Sequence, residues 1–201
     1  MSETTGFKDK INVLFVCLGN ICRSPMAHGV FLHHLSSLPP SQRSRFGVID
    51  SCGTGAYHTH EPPDYRTMSV LESHEITGFE HGARKIRTRD FEEFDYILGM
   101  DGMNLSDLRR LEQRRGLVEG DTQRAKVSLF GKFGGKQSNG RGRRGADGGQ
   151  DWDGEEVIDP YYGGDEGFEE VFEQVDRFSK AFIQEVLKDD KTTDVNGADK
   201  I

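Results

Sequence analysis

The stretch Val13-Leu14-Phe15-Val16-Cys17-Leu18-Gly19-Asn20-Ile21-Cys22-Arg23-Ser24-Pro25 decides the fold. Residues 12–16 form a near-continuous apolar run, the pattern of a strand buried on both faces of a sheet. The run ends on a thiol. Ser24-Pro25 then opens a helix in which Ala27, Val30, Phe31, His34 and Leu35 recur at i, i+3, i+4, i+7 and i+8. A loop between a strand and a helix N-terminus points backbone N–H groups inward, and the helix dipole favours negative charge there. That field favours a thiolate, and Arg23 adds a planar, permanently charged fork that matches phosphate oxygens. The chemistry this suggests is attack on phosphorus by Cys17. The plain alternative for Cys17 is a small buried hydrophobe after a strand. For Arg23 it is a surface ion pair, a poor reading because a helix N-terminus is the wrong end for an unpaired cation.

Outward from this loop, strand and helix alternate. Pro39-Pro40 stops the first helix, and Val48-Ile49 marks a second strand that leads into a Gly53-Thr54-Gly55 turn. Pro62-Pro63-Asp64 precedes a helix carrying Met68 and Leu71, and Asp90-Phe91-Glu92-Glu93 has capping-box spacing and predicts a short helical turn. Residues 96–100 and 126–130 read as the third and fourth strands, with a helix marked by Leu105, Leu108 and Leu111 between them. The last helix carries one long apolar stripe of Phe168, Val171, Phe172, Val175, Phe178, Phe182 and Val186, which reads as core. This alternation predicts an α/β fold, a parallel sheet with helices on both faces. Such sheets bind ligands at the carboxyl ends of their strands, and the loop from Cys17 to Arg23 leaves the first strand at that end.

The length of 201 residues suits one domain with extra loop material and tails. A formal charge of −8 argues against nucleic acid or an anionic membrane as the main partner. No stretch approaches the ~20 apolar residues of a membrane span. No basic-apolar leader opens the chain, and three cysteines give no disulfide framework, so a reducing, cytoplasmic setting is expected. No metal site is expected: Cys17 and Cys22 lack a second ligand pair at zinc-like spacing, and the histidines, His33 and His34 among them, read as solvated groups. Residues 131–150 hold eight glycines, five Lys or Arg and one Asp, a local charge of +4, and no apolar periodicity. They predict a disordered surface insert, with electrostatic recognition of an anionic peptide as the alternative. Nine acidic and no basic residues follow in 151–170.

The motif from Cys17 to Pro25 closely resembles the phosphate-binding loop of the low-molecular-weight protein tyrosine phosphatases. A bare Cys-x5-Arg would be weak; the apolar strand before it, Asn20 and Ser24-Pro25 make it specific. Val157-Ile158-Asp159-Pro160-Tyr161-Tyr162 is similar to that family's general-acid loop, and Asp50-Ser51, Glu61-Pro62-Pro63-Asp64, His81-Gly82-Ala83-Arg84 and the run from Phe94 to Asp101 match family positions in order. The resemblance covers residues 11–188, leaving 1–10 and 189–201 as flexible tails. It implies a four-stranded parallel sheet in the order 2-1-3-4.

The resemblance also implies roles. Cys17 is the nucleophile, Arg23 the phosphate clamp and Asp159 the general acid and then base. Leu18, Gly19, Asn20, Ile21, Cys22 and Ser24 bind phosphate or shape its loop, with Asn20 in the left-handed region and Ser24 donating to the thiolate. Ser51 and His81 support Asn20, while Tyr57 and Tyr161 wall an aromatic cleft. Cys22 is placed to close a disulfide over an oxidised Cys17. No cofactor is implied, and the partners are phosphotyrosine proteins and small aryl phosphates. Cys52, His60 and Tyr65 depart from the family's usual residues, and Tyr57 stands where Trp is frequent. Arsenate reduction on the same loop would need relay thiols in the middle of the chain, where only Cys52 stands. A phosphate-binding pseudoenzyme would be expected to lack Cys17, Arg23 or Asp159.

Overall fold

Strand β1 (Ile11–Cys17) is the centre of the molecule: Val13, Leu14, Phe15 and Val16 have no solvent exposure. The computed structural model describes residues 10–114, 125–136, 153–161 and 164–195. On one side β1 pairs in parallel with β2 (Phe46–Gly53), with Phe15 opposite Ser51 and Cys17 opposite Gly53. On the other it pairs with β3 (Tyr96–Gly99), and β3 in turn pairs with β4 (Lys126–Leu129). The order is β2-β1-β3-β4, all parallel, as the resemblance implied.

Side chains alternate across a strand, so β1 feeds two cores. Val13, Phe15 and Cys17 face helices α1 (Arg23–Ser36), α3 (Tyr65–Ser73) and α6 (Glu166–Val195). Leu14 and Val16 face Ile86, Phe91 and Leu108, the last on α5 (Gly102–Arg114). Phe15 meets Phe31 and Phe130 edge-on at 5.3 and 4.9 Å, and Phe182 meets Phe31 at 5.7 Å. The apolar stripe of α6 is core, as read from its spacing: Phe168, Val175, Phe178 and Phe182 are fully buried. Burying each such side chain contributes about 1.5–3 kcal/mol.

Several local expectations differ from the fold. A short helix α2 (Pro40–Arg43) begins on the proline pair, because Pro is compatible with the first helical positions. The turn α4 (Asp90–Glu93) forms without a capping box: Arg89 is its N-cap, and the Asp90 side chain turns inward to accept from Arg87 N–H at 2.6 Å and Arg84 Nη1 at 2.9 Å. Helix α6 continues to Val195, seven residues into the expected C-terminal tail.

Residues 131–136, the first part of the expected insert, are packed. Phe133 is 6% exposed with its ring 4.8 Å from that of Phe182, and Gly131 forms a bridge with Glu155. A Cβ on Gly131 would lie 2.0 Å from the Glu155 carbonyl oxygen, so glycine here answers a close backbone approach. The rest of the insert, 137–150, lies outside the described residues, as do Tyr162 and residues 1–9. Among the described residues no helix is long and apolar enough to cross a membrane.

The histidines are not all solvated. His28 is buried on α1 with its ring edge-on to Phe79 at 5.1 Å, and burial, with His81 adding to it, pushes its pKa down to about 4. His34 spans to α6, its Nε2 lying 2.8 Å from Asp176 Oδ1.

Candidate active site

The backbone between β1 and α1 wraps around the Cys17 sulfur. Asn20 takes φ 59°, the left-handed conformation expected for it, and its N–H donates to Cys17 Sγ at 3.2 Å. Ser24 Oγ donates to the same sulfur at 3.0 Å from the first turn of α1. The Asn20 amide ties the loop from behind: its Nδ2 donates to Ser24 Oγ and Ser51 Oγ, both at 3.0 Å, and its Oδ1 accepts from Arg84 N–H at 2.9 Å. His81 Nε2 lies 2.9 Å from that same Oδ1 and 3.2 Å from Ser51 Oγ. Ser51 and His81 thus both lie against the Asn20 side-chain amide and against each other. The end of β2 closes the floor, where Thr54 and Gly55 N–H donate to the carbonyls of Cys17 and Leu18 at 2.9 Å. A Cβ on Gly53 would lie 2.6 Å from the Leu18 carbonyl oxygen, so a side chain there would displace the loop.

Cys17, Leu18, Gly19, Ile21, Cys22, Arg23, Tyr57, His58, Asp159 and Tyr161 line one cleft of about 440 Å³. Asn20 and Ser24 have no solvent exposure and do not line it; their side chains hold the loop and the sulfur instead. Tyr57 and Tyr161 stand exposed at the rim, 74% and 42%. His58 is a further lining residue that the sequence did not single out; it is held by Glu61 Oε2 at 2.7 Å from Nδ1.

Arg23 is 4% exposed and its guanidinium grips two carboxylates. Nη2 donates to Asp159 Oδ2 at 2.8 Å, and Nη1 donates to Asp101 Oδ2. Burial acts to lower the Arg23 pKa, but Cys17, Asp101 and Asp159 outweigh it and hold the pKa above its ordinary value. Sequence reasoning placed Asp101 only at the end of the third strand. Its Oδ1 also accepts from Asn104 N–H at 2.8 Å, so it caps α5 while it orients the arginine.

Asp159 reaches the cleft because its loop is clamped on both sides. Val157 N–H donates to the Met100 carbonyl at 2.8 Å, and Gly102 N–H donates to Glu156 Oε1 at 2.9 Å. From α6, Gln174 Oε1 accepts from Ile158 N–H at 3.0 Å while Nε2 donates to the Glu156 carbonyl at 3.0 Å and to Glu155 Oε1 at 2.9 Å. Gln174 is buried on the apolar side of α6; its signal in the sequence is a polar residue beside Val175 in an otherwise apolar stripe.

The other two thiols differ from Cys17 in setting. Burial first, then the charges of Asp64, Cys17 and Asp159, pushes the Cys22 thiol up to about 12, so it stays protonated. Cys52 has no solvent exposure, and burial raises its pKa well above the ordinary value.

A sulfur that accepts from the Asn20 N–H and the Ser24 hydroxyl, a buried guanidinium and a carboxylate lining the same cleft form a constellation suited to displacement at phosphorus. The sequence model of the family described as low molecular weight phosphotyrosine protein phosphatase matches residues 12–192. A low molecular weight phosphotyrosine protein phosphatase of Schizosaccharomyces pombe is 43% identical over 176 residues, covering 88% of this chain and 97% of that protein. One of Saccharomyces cerevisiae is 37% identical over 186 residues, covering 90% and 98%. The crystal structure of a protein tyrosine phosphatase from Entamoeba histolytica superposes with a TM-score of 0.67 at 27% identity, covering 90% of this chain and 99% of that one. With the family model matching residues 12–192 and a relative 43% identical over 88% of the chain, the chain belongs to the low molecular weight phosphotyrosine protein phosphatase family.

Proposed function

We propose that this chain hydrolyses phosphotyrosine in proteins, and small aryl phosphate monoesters, through a cysteinyl-phosphate intermediate and without a metal ion. The observation that carries the reading is the meeting of Cys17, Arg23 and Asp159 in one cleft walled by Tyr57 and Tyr161. In the first step Cys17 Sγ attacks phosphorus, the bond from phosphorus to the aryl oxygen breaks, and the Asp159 carboxyl gives its proton to that oxygen. Arg23 and the N–H groups of the loop hold the equatorial oxygens as charge spreads over them, the part a cation would otherwise play. In the second step the Asp159 carboxylate takes a proton from water, the water oxygen bonds to phosphorus, and the sulfur leaves as a thiolate. The hydroxyl of Ser24 and the N–H of Asn20 support that thiolate as a leaving group.

The aromatic rim favours phosphotyrosine over phosphoserine, because a phenyl ring can stack where a short alkyl chain cannot. Acid phosphatase activity on aryl esters, a cytoplasmic location and a redox-sensitive Cys17 belong to the same reading. Arsenate reduction fits less well: Cys52 is wholly buried and its thiol held protonated, so it is a poor relay. Hydrolysis of p-nitrophenyl phosphate in the presence of EDTA tests the proposal. The wild type should turn over and be inhibited competitively by vanadate; Cys17→Ser should be inactive yet still bind vanadate, and Arg23→Ala should lose both. A metal requirement or an active Cys17→Ser variant overturns it.

A further inference from the structure

His28 on α1, Asp50 on β2 and His81 each offer one ligand atom, and these three atoms lie within 4.8 Å of one another. None of the three lines the cleft. His28 is 8% exposed, and its Nδ1 is buried with no hydrogen-bond partner. Its ring meets that of His81 edge-on at 5.7 Å.

The tautomer of His81 follows from its neighbour. Asn20 Oδ1 already accepts from a backbone N–H and can only accept, so His81 Nε2 carries the proton and Nδ1 keeps its lone pair. Asp50 Oδ1 accepts from Ser51 N–H at 2.7 Å, and Oδ2 accepts from Arg84 Nε at 2.8 Å with Nη2 of the same guanidinium also 2.8 Å away. A carboxylate has about four lone-pair directions, so one remains for a further partner. The positive charge of Arg84 is shared with Asp90 Oδ2 at 2.9 Å, so two carboxylates face one guanidinium. The cluster therefore holds an unpartnered buried nitrogen, a second imidazole and two carboxylates about one guanidinium.

We propose that His28, Asp50 and His81 form a binding site for a divalent transition ion of the Zn²⁺ type, separate from the catalytic cleft and not required for turnover. Two imidazoles and a carboxylate suit zinc, with water as the fourth ligand. Bonds of about 2.0–2.2 Å put tetrahedral ligand atoms about 3.4 Å apart, so the side chains close in by rotation. An ion on His81 Nδ1 polarises Nε2–H towards Asn20 Oδ1. The site then bears on the phosphate loop through Asn20, Ser24 and Cys17. It stands on its own residues whether or not the phosphatase reading holds.

The test is calorimetric titration of the full chain with Zn²⁺, and spectroscopic titration with Co²⁺, in the Cys17→Ser background so that the catalytic thiolate cannot compete. One ion per chain should bind, and the Co²⁺ spectrum should lack a sulfur-to-metal charge-transfer band. Adding His28→Leu, which keeps an apolar group in the buried position, or Asp50→Asn should weaken binding by more than about tenfold with the melting transition still cooperative. Two variants on different elements guard against a folding failure in one. Failure of the Cys17→Ser protein to bind, or equal affinity in whichever of the two further variants folds, overturns the site.

Discussion

Arg23 Nη2 donates to Asp159 Oδ2 at 2.8 Å, so the arginine of the phosphate loop and the carboxylate ahead of α6 hold each other across the cleft. A bound phosphate presents oxygens of the same geometry to the same guanidinium. A substrate phosphate is therefore expected to compete with Asp159 for the arginine. Asp101 Oδ2 accepts from the other terminal nitrogen, Nη1.

Asp159→Ala should slow substrates with basic leaving groups by about 10²–10⁴, and activated aryl phosphates far less, because protonation matters only when the departing oxygen is basic. A leaving-group series of aryl phosphates measures this. Equal losses across the series would show that a neighbour such as Asp153 or Glu156 is the acid.

Gln174 should act on the same step from a distance. Two of its hydrogen bonds hold the backbone on either side of Val157, at the Glu156 carbonyl and the Ile158 N–H, and a third goes to the Glu155 carboxylate. Gln174→Ala frees that segment, and misplacing the acid by about 1 Å can cost up to about 100-fold. The loss should fall on kcat for poor leaving groups and leave vanadate affinity close to wild type. A uniform loss over the whole leaving-group series would mean that the residue serves the fold alone.

Peroxide should inactivate the protein reversibly by taking Cys17 to a sulfenic acid, with Cys22 then condensing on it to form the disulfide and release water. The raised pKa of Cys22 keeps it a thiol until that point and makes closure slow at neutral pH. Thiol recovery after peroxide should be much poorer in Cys22→Ser; the same recovery in both proteins removes Cys22 from the protective role.

Asp64 links pH to stability. Its Oδ1 caps α3 by accepting from Arg66 N–H at 2.9 Å, and both its oxygens pair with the Arg66 guanidinium. The hydrogen bonds from Arg66 hold its pKa below the ordinary carboxylate value. A lowered folded pKa means that the stabilisation is fully present above the unfolded value of about 3.9 and is lost as pH falls through the folded value. Asp64→Ala should cost about 1–2 kcal/mol at neutral pH, and the gap to wild type should begin to narrow once the pH drops below about 3.9. Denaturant melts at pH 7 and pH 3 decide it; a gap that does not change with pH would rule out the charged cap.

The chain's local pattern determined β1, the loop and α1, because an apolar run, a helix start and the residues around one sulfur lie within a single stretch of sequence. Asn20 in the left-handed region and Ser24 on the sulfur were legible through the motif's family resemblance, which a contiguous stretch can carry because both residues meet a sulfur three to seven positions away. The apolar stripe of α6 was legible from its period. Only the tertiary structure could join Arg23 to Asp101, 78 residues on, or Gln174 to the acid loop, since neither residue carries a local signal of its partner. It also decided His28, which reads as a solvated side chain on a helix until Phe79 and His81 close over it. Residues 131–136 show the limit from the other side. Their glycines read as disorder, yet Gly131 is small because Glu155 crosses against it, a contact that exists only once β4 and the acid loop have been brought together.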